Sequence, residues 1–146
     1  MTPPRSVDRG PAAGTPPTPG TVLAIWHAVA EPGQVAAFAR AVRRPGHDSR
    51  LPPTFLAVLS AEFTERMVTG ILPVDRTRLM HGEQRFEWLA EVHTGARLKA
   101  TAVLADVAER AGTSGMLRLF TVEITWCEGD TPVCRETSVI IERPAP

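Results

Sequence analysis

Two histidine–carboxylate pairings stand out as groups able to move protons. His47 and Asp48 are neighbours in the Pro/Gly-containing stretch 43–51, where a loop can turn both side chains into one pocket. His81 is followed two residues on by Glu83, and on a strand that spacing puts both on one face of a sheet, where each would shift the other's pKa. The plainer alternatives are a solvated pair at 47–48 and a His81 that hydrogen-bonds within the fold. His27, beside Trp26, and His93, near a turn, read as structural.

A place for a developing oxyanion is also available. After Pro52 and Pro53, which lack N–H groups, the first free amides of the following helix belong to Thr54 and Phe55, and helix N-termini attract negative charge. Arg43, Arg44 and Arg50 lie close by and could grip phosphates, or simply be exposed.

These groups need elements to position them. Val22, Leu23, Ile25 and Trp26 form a run suited to a strand, which Pro32 and Gly33 break. Apolar residues from Val35 to Val42 recur at helical spacing and stop at Pro45-Gly46. A central helix near 53–67, with Phe55, Leu56, Val58, Leu59, Phe63 and Met67, is apolar nearly all round at its start and must be covered on most sides. Four strands follow near 79–91, 96–108, 115–127 and 132–143. Met116, Phe120, Val122, Ile124 and Trp126 alternate with Thr121, Glu123 and Thr125 in the clearest of them. With turns at Gly95, 111–115 and 128–130, the four read as a meander. The expected fold is α+β, an antiparallel sheet wrapped around one apolar helix.

The 146 residues suit one domain over 21–146. Residues 1–20 hold six prolines and three glycines with almost no bulky aliphatic side chain, and are expected to stay disordered. Sixteen basic residues balance sixteen acidic ones, which argues against a nucleic-acid or anionic-membrane binder. No stretch approaches the roughly 20 apolar residues that cross a bilayer, so a cytoplasmic location is expected. The two cysteines, Cys127 and Cys134, are too few for a zinc site and read as free thiols, with a cross-strand disulfide as the alternative.

Leu51-Pro52-Pro53-Thr54-Phe55-Leu56, followed by Met80-His81-Gly82-Glu83-Gln84-Arg85-Phe86-Glu87-Trp88, resembles the N-terminal-type hot-dog domain of MaoC-like dehydratases. Gly95-Ala96-Arg97-Leu98 and Val122-Glu123-Ile124-Thr125 with the Gly129-Asp130 turn are similar to later parts of that domain. The resemblance implies hydration or dehydration of an acyl thioester held on coenzyme A or a carrier protein, or a related conjugate addition or cyclisation, with no metal or cofactor. It implies a homodimer, or a heterodimer with a second hot-dog subunit. Active members carry an Asp and a His on a Gly-Asp-x-Asn-Pro-x-His loop before the central helix. Here the corresponding loop is shortened, and His47 and Asp48 stand in reversed order.

The candidate site is therefore His47, Asp48, His81 and Glu83 for proton transfer, with Arg50, Thr54, Phe55 and Trp88 for substrate contact. Two alternatives remain open. One is a non-catalytic acyl-binding subunit, and the other a thioesterase using Glu62 or Glu65 of the helix.

Overall fold

The computed structural model describes residues 15–44 and 48–146. Strand β1 (Val22–Val29) leads into helix α1 (Pro32–Ala41) and then the central helix α2 (Leu56–Arg66). A π-helical turn over Met67–Ile71 extends α2 before strand β2 (Leu79–Trp88) begins. Strands β3 (Arg97–Gly112), β4 (Gly115–Glu128) and β5 (Thr131–Glu142) complete the chain. Pro32 opens α1 rather than only ending β1, because a proline at the first helical position gives up no intrahelical bond.

All five strands form one antiparallel sheet in the order β1-β3-β4-β5-β2. Only β3, β4 and β5 run as a meander. The four-strand meander expected from the sequence is corrected here, because β2 pairs with β5 and not with β3. The connection 89–96 crosses the end of the sheet instead of closing a hairpin at Gly95. Its backbone is satisfied on the way, with Leu89 N–H donating to Val133, Leu51 N–H to Val92, Thr94 N–H to Ser49 and Gly95 N–H to Ala30.

The inner face of the sheet holds α2. Phe55, Leu56, Leu59, Phe63 and Met67 from the helix are buried against Trp26, Leu98, Leu104, Val122, Ile124 and Trp126, each such side chain contributing about 2 kcal/mol by leaving water. Trp26 stacks on Phe63 at 4.8 Å and meets Trp126 edge-on at 5.4 Å. Ala100 and Ala102 are fully buried on β3. Wrapping of the sheet around one apolar helix is the architecture expected.

Candidate functional site

The entry to α2 is where a cleft opens. Pro52 is buried, and the N–H of Phe55 donates to its carbonyl at 3.0 Å. That turn uses up the Phe55 amide, which corrects its expected role as a free donor; Thr54 is exposed. Trp88, the last residue of β2, donates its indole N–H to the Pro53 carbonyl at 3.0 Å. Beside this contact lies a cleft of about 440 Å³, lined by Arg44, Arg50, Leu51, Pro53, Trp88, Leu89, Ala90, Glu91 and Val92. Arg50 and Trp88, both expected at a substrate site, share it.

The arginines of the cleft are already paired. Asp48 Oδ2 accepts from Arg50 and from Arg44 Nη2 at 3.1 Å, and Oδ1 accepts from the Arg50 amide at 2.9 Å. Arg50 also meets Glu91 at 3.1 Å. The hydrogen bonds from the Arg50 guanidinium and amide hold the Asp48 carboxyl well below the usual carboxylate range, and the same pairing raises Arg50. An acid this strong neither gives nor takes a proton usefully near neutral pH. Two guanidinium groups face two carboxylates, so the cluster carries no net charge with which to hold phosphates. His47 lies outside the described residues.

His81 and Glu83 do not share a face. The register pairs His81 with Ile140 and Glu83 with Val139, so β2 advances two residues while β5 advances one. This bulge lies at Gly82, and it breaks the period-two argument. A Cβ at Gly82 would meet Ile141 Cδ1 at 2.5 Å, which explains the glycine. His81 turns to the inner face, where its Nε2 lies 3.2 Å from Ser138 Oγ.

Beside it is a polar cluster that sequence reasoning missed. Glu136, 1% exposed, accepts from Ser60 of α2 at 3.2 Å and from Gln84 of β2 at 2.7 Å through Oε1, and from the Trp126 indole of β4 at 2.8 Å through Oε2. Burial pushes its pKa above the ordinary carboxylate value, partly offset by the Gln84, Trp126 and Ser60 donors and by His81. A signal was available, since Cys134, Glu136, Ser138 and Ile140 are alternate residues of one strand. It was masked by Val139 and Ile141 on the opposite phase.

The remaining candidates have structural partners or open positions. His93 Nδ1 lies 2.9 Å from Ser49 Oγ, Glu65 pairs with Arg76 at 2.8 Å, and His27 is exposed on β1 opposite Lys99. Cys127 and Cys134 are free thiols, and burial pushes Cys134 up to about 12. Among the described residues no cluster of three or more His, Cys, Asp or Glu could hold a metal, and no helix is long and apolar enough to cross a membrane.

Known proteins give this geometry its context. A UPF0336 protein of Saccharopolyspora erythraea is 33% identical over 93 residues, covering 63% of this chain and 58% of its own length. A second, from Streptomyces griseus, is 30% identical over 105 residues, covering 66% and 70%. The match thus spans less than two thirds of the Saccharopolyspora relative. Among solved structures, the HadBC (3R-hydroxyacyl-ACP dehydratase) complex of Mycobacterium tuberculosis superposes with a TM-score of 0.66 at 20% identity, covering 86% of this chain and 97% of the other. A MaoC-like dehydratase of Rhodospirillum rubrum gives 0.60 at 14% identity, covering 89% and 95%. These likenesses place the wrapped sheet in the hot-dog fold. The model of the FAS1-like dehydratase domain region matches residues 18–136, most of the chain, and the chain belongs to that family.

Proposed function

We propose that this chain is the acyl-thioester-binding subunit of a 3-hydroxyacyl-thioester dehydratase, with the acid and base supplied by a second hot-dog subunit. Dehydration removes a proton from C2 and a protonated hydroxyl from C3, releasing water and leaving the 2-enoyl thioester. The observation that carries the reading is the state of Asp48, bound by Arg44 and Arg50 and held far below a useful pKa beside an otherwise well-formed cleft. Separation of His81 from Glu83 by the Gly82 bulge supports it. So does the likeness to HadBC, whose name is that of a dehydratase complex. Strands β1 and β2 are the sheet edges, and pairing with a second unit would satisfy one of them.

The test is turnover of 2-enoyl thioesters by the purified chain, alone and mixed with a hot-dog subunit bearing the Gly-Asp-x-Asn-Pro-x-His loop. Hydration in the mixture, with none by either chain separately, is the expected result. Hydration by this chain alone that His47→Ala abolishes would return catalysis to its own loop. Release of free thiol would make it a thioesterase.

A further inference from the structure

Gln84, Phe86 and Trp88 alternate along β2 and pair with Ser138, Glu136 and Cys134, all buried on the inner face of β5. They form one row. Trp88 lines the cleft at the start of α2, Phe86 is half-buried and Gln84 is exposed. Four residues of strand span about 13 Å, so Gln84 stands one medium acyl-chain length along β2 from Trp88 at the cleft.

The amide of Gln84 is not free to turn. Glu136 is fixed between helix and sheet by Ser60 and Trp126, and a carboxylate accepting from both takes the NH₂ of Gln84 at 2.7 Å. With Glu136 ionised, the form its three donors favour, a reversed amide would set two acceptor oxygens against each other at that distance. The carbonyl oxygen of Gln84 is therefore the prong left over, with no hydrogen bond to the chain among the described residues. His81, next along the row, is turned to Ser138.

We propose that Gln84 is a specificity-determining residue, held by Glu136 so that its amide oxygen reads a hydroxyl on the distal part of a bound acyl chain. Glu136 is its positioning residue. This rests on the acyl-thioester reading above and adds the substrate class, a chain with a hydrogen-bond donor remote from the thioester. A hydroxyl donates to the waiting oxygen. A ketone at the same carbon has no proton to give and leaves two acceptors facing each other, while a methylene leaves the oxygen unpaired.

The experiment is calorimetric binding of pantetheine thioesters to the full chain. The acyl chains are matched in length and carry a hydroxyl, a ketone or a methylene at a carbon about 13 Å from the sulfur. Wild type is expected to bind the hydroxyl form roughly tenfold more tightly than the ketone. Gln84→Leu should abolish that difference and favour the methylene chain. Glu136→Gln should let residue 136 donate to Gln84, turn the amide, and bring the ketone level with the hydroxyl, a change that a purely structural role would not produce. Equal binding of hydroxyl and ketone by wild type, or a preference surviving Gln84→Leu, overturns the proposal while leaving acyl binding intact. If no thioester binds at all, the acyl-binding reading fails first and takes this one with it. Gln84 is exposed, so Gln84→Leu decides the matter even if Glu136→Gln does not fold.

Discussion

Ser60 and Glu136, 76 residues apart in the chain, meet at 3.2 Å between the central helix and the sheet. The contact ties α2 to a buried carboxylate that also holds β2 and β4. Ser60→Ala should cost about 1 kcal/mol, the net value of one hydrogen bond, whereas Glu136→Ala strands Trp126 Nε1 and should cost about 3 kcal/mol. Urea unfolding of the two variants checks the order.

Glu136 also sets a pH dependence. Its folded pKa lies above the ordinary 4.5, so the folded chain holds the proton at a pH where the unfolded chain has lost it. The stability it contributes is full below 4.5 and declines as pH rises through the folded value. The stability gap between wild type and Glu136→Gln should follow that decline, read from urea midpoints over a pH series.

Glu142 should behave in the opposite way. Burial opposes its charge, but the Asp75 amide and the Arg118 and Arg78 guanidinium groups outweigh that and hold it below 4.5. Its stabilisation is present above 4.5 and is lost as pH falls through the lower folded value. Glu142→Gln should lose about 2 kcal/mol at neutral pH, a figure reduced because Arg118 is 38% exposed, and should titrate less than wild type in acid.

Gly82→Ala tests the bulge. A methyl group there would overlap Ile141 Cδ1 at 2.5 Å and Cγ1 at 2.9 Å, and only the side-chain end can yield. A loss of about 1–2 kcal/mol is expected by thermal unfolding, with weaker pairing of β2 to β5 seen as faster amide exchange over 79–84.

Asp48→Asn separates structure from chemistry. With a motif-bearing partner present, turnover should stay within about tenfold of wild type, since Asp48 serves only its arginines. A proton-transfer residue would cost about 100-fold or more in the same hydration assay.

The elements were legible in the order of the residues alone. The alternation from Phe120 to Trp126 makes β4 unambiguous, and the double proline followed by Phe55, Leu56, Leu59 and Phe63 requires a covered helix. Both patterns arise from local periodicity against one buried face, which neighbouring residues in the chain are enough to express. The pairings came from packing between elements. Placement of β2 beside β5, the Gly82 bulge that parts His81 from Glu83, the capture of Asp48 by Arg44 and Arg50, and the meeting of Ser60, Gln84 and Trp126 on Glu136 are products of packing. Most join residues far apart in the chain. Spacing says which way a side chain points along its own element, while its charge and its hydrogen bonds depend on what another element brings to it.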